Sequence, residues 1–316
     1  MSRQPHVPES LPVGPFSREQ ALIAGLTSRR LQGPHFRRIF PRVYAIRDHL
    51  MTDLDWIVAA SLAMPSHAYL NHLTRIRALG LEHGPRRPFH FVVAGGLHLD
   101  LPDIFLHRTE VLPPLDDAGV TPAAAFIGYA ATARVIDLIE VGDWLLHHEH
   151  MSAVEVAGLA SRDRWRPGAG QALWVLQHLD GRSRSPKESE TRAVLVFGGL
   201  PVPEVNADLF DGSTFLACVD LAYRRWRLAV EYEGRQHAED RYQFNRDIGR
   251  YAGLRGDAWE YVQVTQEMLK QPRGMVVHVH RKLVERGYVG PTPVFGARWH
   301  SLFEPVRRWE ARAAVA

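Results

Sequence analysis

The sequence predicts an α/β chain, α+β overall, and three observations carry that reading. Several stretches repeat apolar residues at helical spacing, others alternate apolar and polar residues as strands do, and Gly, Pro and polar clusters separate them. The 316 residues, 46% apolar and 23% charged, suffice for two or three globular domains. We expect a small basic domain over 1–50, a mostly helical middle domain with a hairpin over 51–182, an α/β domain over 183–286 and a tail over 287–316.

At the N-terminus, Ser17-Arg-Glu-Gln20 opens the helical pattern SREQALIAGL, with Ala21, Leu22 and Leu26 inward and Gly25 as its stop. Thr27 or Ser28 caps a second helix, SRRLQGPHFRRIF, which Pro34 shortens. Residues 39–46, IFPRVYAI, then alternate like a strand. Helix, turn, arginine-bearing helix and strand outline a winged helix-turn-helix. A basic helical surface with no such role fits the same pattern. Residues 17–48 carry Arg18, Arg29, Arg30, Arg37, Arg38, Arg42 and Arg47 against Glu19 and Asp48. That local charge of +5 exceeds the +3 of the whole chain, so the remainder is slightly acidic. Arg29, Arg30, Arg37 and Arg38 are therefore the candidate nucleic-acid contacts.

In the middle region residues 51–82 and 121–160 read as helices. FHFVV (89–93) and DIFLHR (103–108) read as two strands around a Gly95-Gly96 turn. The polar, turn-rich stretch 179–187 reads as a domain boundary. Beyond it Ser185 caps a helix, with Pro186 in its first turn and Glu188 reaching back as a capping box. FLACVDLAY (215–223) and RLAVEYEG (227–234) pair as strands. A helix over 240–254 and a strand over 259–265 complete the unit.

Within that unit LAVEYEGRQH (228–237) sets Glu231 and Glu233 on one strand face, about 7 Å apart. Asp220 stands near the end of the preceding strand. An E-x-E pair of this kind also suits a solvated edge, but three carboxylates around small residues fit a hard divalent cation such as Mg²⁺. Gly234 permits a tight strand exit that leaves Gln236 and His237 nearby. Arg246 and Arg250, at i and i+4 on the next helix, share a face able to hold a phosphate.

Four blocks in order give these residues a family likeness. Ser185-Pro-Lys-Glu188-Ser189, Val219-Asp-Leu-Ala222, Val230-Glu-Tyr-Glu-Gly-Arg-Gln-His237 and Asp247-Ile-Gly-Arg250 make residues 185–265 resemble the domain related to very-short-patch repair endonucleases, within the PD-(D/E)XK superfamily. The resemblance implies a restriction-endonuclease-like α/β domain in which Asp220 and Glu231 bind Mg²⁺ or Mn²⁺, with Glu188 in an outer-shell or general-base role. Glu233 stands where the superfamily has lysine, and is assigned to orienting water or completing the metal shell. Gln236 and His237 would position the scissile phosphate, and Arg246 and Arg250 the backbone. The N-terminal FSREQALIAGLTSRRL…FPRVYAI is similar to the winged-helix start of abortive-infection antitoxin-type proteins. Together these imply a DNA-interacting phosphodiesterase, or a DNA-binding regulator or antitoxin with an inactive nuclease-like domain.

The single cysteine, Cys218, excludes an internal disulfide framework and fits a reducing cytoplasm; it reads as a small buried hydrophobe. We expect a cytoplasmic chain with no membrane partner, since no secretory leader pattern opens it and Arg134, Asp137 and Glu140 interrupt its most apolar stretch. His147-His-Glu-His150 reads as a polar helix end rather than a metal site. Gly95-Gly96 and Gly168-Ala-Gly170 lack a phosphate-loop setting. Two carboxylates on one strand are poorly placed for glycoside hydrolysis.

Overall fold

The computed structural model describes residues 8–211, 213–233 and 259–307. Helices and mixed sheets alternate along the chain, as the α/β reading requires. The chain divides into two compact units, 1–128 and 129–316. The stretch 179–187, read as a domain boundary, lies inside the second.

The first unit opens with β1 (Phe16–Ser17), α1 (Arg18–Ile23), α2 (Ser28–Leu31), β2 (Phe36–Phe40) and β3 (Val43–Ile46). Ser17 and Gln20 form a reciprocal capping box on α1, Gly25 follows its end at φ 84°, and Thr27 caps α2 through the Arg30 N–H. The second helix is a single turn. Gly33-Pro34 stops it, and Phe36–Phe40 turns into a strand whose Phe36 and Phe40 are buried. Arg37 and Arg38 therefore ride on a strand rather than on the predicted helix. The sheet order β1-β3-β2 makes β2–β3 an antiparallel hairpin following the two short helices. Leu11, Phe16, Ala21, Leu26, Leu31 and Phe36 form its core.

This lobe is not closed on itself. Phe40 and Val43 share a second core with Ile57, Ala59 and Ala60 of α3 (Asp53–Ala63) and with Phe89 and Phe91. Residues 1–50 thus continue into the next elements through buried apolar surface. Those are β4 (Ala68–Leu70), α4 (His72–Arg77), β5 (Phe89–Ala94), β6 (Ile104–Thr109), β7 (Leu115–Asp116) and β8 (Gly119–Val120). β4 is antiparallel to β5, but β5 and β6 are parallel, so the expected hairpin is corrected to a crossover. The connection 95–103 reaches about 30 Å when extended, ample to return along a strand of about 17 Å. Gly95, at φ 88°, begins it. α5 (Pro122–Ala130) ends the unit, with the division falling inside it.

The second unit builds α6 (Val135–His147), α7 (Ala153–Arg162), α8 (Ala169–Val175) and α9 (Pro186–Phe197) before its sheet. Asp143 of α6 is wholly buried and pairs with Arg192 of α9 at 2.6 Å, while its other oxygen accepts the Asp180 N–H. Residues before and after 179–187 are thereby bound into one body, which explains why no boundary falls there. Burial outweighs the arginine and holds the Asp143 carboxyl above its ordinary pKa.

The sheet runs β12-β11-β10-β9, with β9 (Glu204–Asp211), β10 (Thr214–Tyr223), β11 (Leu228–Tyr232) and β12 (Glu260–Val264). β9 to β11 form an antiparallel meander, and β12 is parallel to β11. β9 was missed in the sequence although Glu204, Asn206 and Asp208 alternate with the buried Val205, Ala207 and Leu209, the pattern of a half-buried strand. α10 (Gln266–Lys270), α11 (Pro272–Glu285) and α12 (Ala297–Ser301) follow. Trp299 of α12 is buried, with Phe295 and Phe303 packed edge-on against it, so residues 287–307 belong to the body. Trp309 lies outside the described residues. Among those residues no helix is long and apolar enough to cross a membrane.

Candidate functional site

One face of the four-stranded sheet is core: Val205, Ala207, Leu209, Ala217, Val219, Leu221, Leu228, Val230, Val262 and Val264 are all buried. The opposite face carries the acids. The β10–β11 ladder pairs Leu221 with Val230, Ala222 with Ala229 and Tyr223 with Leu228. Asp220 and Glu231 stand one residue beyond its last pair, Leu221–Val230, on their respective strands. Directly opposed residues of an antiparallel pair point to the same side, with Cβ atoms about 5 Å apart. Asp220 and Glu231 therefore share one face of neighbouring strands.

The ladder itself changes character at this level. The Tyr232 N–H, which would serve the next backbone bond, instead donates to Asp220 Oδ2 at 2.9 Å. On its other side β11 stays zipped to β12 through Tyr232–Val264, and the Glu233 N–H donates to the Val264 carbonyl. The two strands thus part where the carboxylates stand. Glu231 is buried and its Oε2 accepts from the Tyr261 hydroxyl at 3.1 Å. Ala222 and Ala229, the opposed pair two residues away on this face, are buried. Glu233 follows Glu231 on that face, half-buried.

Glu188 belongs to the scaffold of this site. Ser185 caps α9 through the Glu188 N–H, as the sequence indicated. The return reach of Glu188 goes one residue further than a capping box: its Oε2 accepts from the Arg184 N–H at 2.9 Å and from Asn206 Nδ2 at 2.8 Å. Glu188 thereby ties the start of α9 to β9. Among the described residues no three of the predicted acids bring oxygens within 4.8 Å of one another. Asp220 and Glu231 lie on adjacent strands, while Glu188 binds the Arg184 N–H and Asn206. Gln236, His237, Arg246 and Arg250 lie outside the described residues. Cys218 stands opposite Asp208 on the acidic face, and burial with the Asp208 hydrogen bond raises its thiol pKa. A raised thiol is a poor nucleophile.

The basic N-terminal residues divide in two. Arg37 is half-buried and donates to the His49 carbonyl at 2.6 Å. Arg47 likewise turns back onto the Pro34 and Phe36 carbonyls. Arg29, Arg30 and Arg38 are exposed on α2 and β2. His147 and His148 contact the Gly181 and Trp144 carbonyls, consistent with a helix end.

A constellation absent from the sequence reading lies in the first unit. His72 Nδ1 is 3.0 Å from His107 Nε2, and His90 Nδ1 is 2.9 Å from the same atom. His90 is on β5 and His107 on β6, both on the sheet face away from Phe89 and Phe91. His72 starts α4 at φ 49°, its N–H held by Asn71 Oδ1. α4 is fixed by Thr74, which accepts the His90 N–H, and by Arg75, which donates to Val120 and pairs with Asp116. Burial, then the neighbouring imidazoles, holds His72 far below the ordinary histidine pKa. Burial, then His90, brings His107 to about 4, and burial lowers His90. All three are neutral near pH 7, each with an in-plane lone pair. Strands 89–93 and 103–108 were legible, and a histidine on the non-core side of each was the available signal.

Comparisons with known proteins give relatives whose names state no activity. The chain is 31% identical over 163 residues to uncharacterized protein MT2308 of Mycobacterium tuberculosis strain CDC 1551 / Oshkosh and to uncharacterized protein Rv2248 of strain ATCC 25618 / H37Rv. Each match covers 51% of this chain and 60% of the relative. No protein-family profile matches the chain, and no solved structure matches it.

Proposed function

We propose that this chain acts on nucleic acid, with a metal-dependent phosphodiesterase site at Asp220 and Glu231. The single observation that carries the reading is the cross-strand placement of those two carboxylates on one sheet face, where the β10–β11 ladder opens. The donor set fits a hard divalent cation. Mg²⁺ is commonly held by one or two carboxylates and completes its shell with water and substrate oxygens. Asp220 and Glu231 would hold it, and the bound ion would polarise a phosphodiester. The hydrogen bonds from Tyr232 N–H and Tyr261 hydroxyl fix one oxygen of each acid. Glu233, one strand repeat further on, is the group assigned to orient water. Arg29, Arg30 and Arg38 supply phosphate contacts in the first unit.

A second reading keeps DNA binding and drops cleavage: Glu233 occupies the position where the resembled superfamily carries lysine. Incubating the full chain with single- and double-stranded DNA and RNA in Mg²⁺ or Mn²⁺ separates the two. The nuclease reading expects cutting by the wild type and none by Asp220→Asn, with calorimetric Mg²⁺ binding lost in Asp220→Ala. Cutting that survives Asp220→Asn overturns the assigned site. Salt-sensitive binding without cutting selects the regulator.

A further inference from the structure

We propose that His72, His90 and His107 form a binding site for a divalent transition-metal ion, Zn²⁺ by preference, separate from the acidic face. Proton bookkeeping motivates it first. A neutral imidazole carries one N–H and one lone pair, each directed in the ring plane. His107 Nε2 meets two other ring nitrogens, at 3.0 and 2.9 Å. If His107 Nε2 bears the proton, it can aim at one neighbour only. If it bears the lone pair, it can accept from one neighbour only. In either tautomer one close polar contact goes unmade, and enclosed polar groups are seldom left so. An ion at the focus resolves the conflict, because all three nitrogens can present lone pairs to it.

Distances give the second argument. With Zn–N near 2.05 Å, tetrahedral ligand nitrogens lie about 3.3 Å apart. One ligating nitrogen from each ring lies within 4.8 Å of the others here, and two of the gaps need open by only a few tenths of an ångström. In such a site ring centroids stand about 5.2 Å apart. The His72–His90 and His90–His107 pairs are both at 5.2 Å, and His72–His107 is closer at 3.9 Å. A small rotation of His72 is then the main adjustment. Its room is set by Gly128, where a Cβ would fall 2.9 Å from the His72 ring. Three imidazoles with no carboxylate or thiolate suit Zn²⁺ over Mg²⁺ or Ca²⁺, and three protein ligands leave a fourth position for water or substrate.

The full chain, freed of metal by a chelator and dialysed, is titrated with Zn²⁺ by calorimetry. We expect one ion per chain with submicromolar affinity, weakened at least a hundredfold in His90→Gln and in His107→Gln. Those two positions are half-buried. His148→Ala, at an exposed helix end, should bind as the wild type does. Co²⁺ loaded into the wild type should show the intense visible bands of a four-coordinate nitrogen site, a readout that needs no variant. Absence of stoichiometric Zn²⁺ binding, Co²⁺ spectra of the hydrated ion, or affinity unchanged in both glutamine variants would each overturn the site. None of these readouts depends on nuclease activity.

Discussion

The acidic face of the second unit and the imidazole cluster of the first gather ligand-type side chains by opposite routes. Asp220 and Glu231 come from two strands joined by a tight connection, so the register of one hairpin sets them side by side. His72, His90 and His107 come from a helix start and two parallel strands, joined only by pairing between distant segments. The acids are charged and call for a hard cation, whereas the imidazoles are held neutral by burial and call for a softer one. Local geometry writes itself into a short motif. Geometry assembled across 35 residues of chain does not.

The support beneath each site can be broken separately. Arg192→Leu removes the guanidinium from wholly buried Asp143, and we expect a loss of about 3–5 kcal/mol, measured by urea denaturation of the full chain. A loss under about 1 kcal/mol would show that the acidic sheet does not rest on that pair. Gly128→Ala tests the imidazole side. Its added methyl meets the His72 ring at 2.9 Å, so a cost of about 1–3 kcal/mol and weaker Zn²⁺ binding are expected. Unchanged affinity would mean His72 has room that the packing denies it.

Acidity sharpens the contrast further. Burial, then Arg298 and Arg192, holds His178 in the second unit to about 4. Between about pH 6.5 and 4 the unfolded chain therefore binds more protons than the folded one. The His178 contribution is whole above 6.5 and is lost as pH falls toward 4, about 1–2 kcal/mol after allowing for solvent screening. His178→Gln should flatten the denaturation free energy across that window; an unaltered slope would assign the acid sensitivity elsewhere. Smallest is the expected effect of Arg29→Ala or Arg30→Ala on DNA affinity. Each lost phosphate contact lowers the slope of log affinity against log salt by about 0.9. A slope unchanged in the double variant would remove the basic lobe from the interface.

Much of the frame was legible. The caps at Ser17, Thr27 and Ser185, the stop at Gly25 and the strands around Asp220 and Glu231 each follow from neighbouring residues. The readings that needed revision involve partners far along the chain. Arg37, read as a candidate phosphate contact, lies on a strand and donates to the distant His49 carbonyl. Glu188, given an outer-shell or general-base role by the resemblance, has one oxygen bound by Asn206, from a strand unseen in the sequence. Residues 179–187 read as a domain boundary, yet Asp143 and Arg192, from either side of them, are paired within one unit.

What the sequence by itself determined is the alternation of helix and strand and the placing of Glu231 and Glu233 at a strand's two-residue repeat. Periodicity, caps and a hairpin act over a few residues, where chain geometry leaves little choice. Only the tertiary structure decided that β5 and β6 run parallel, that three histidines meet, and which arginines face outward. Those outcomes depend on which buried surfaces find each other, a long-range choice that no short window of residues encodes.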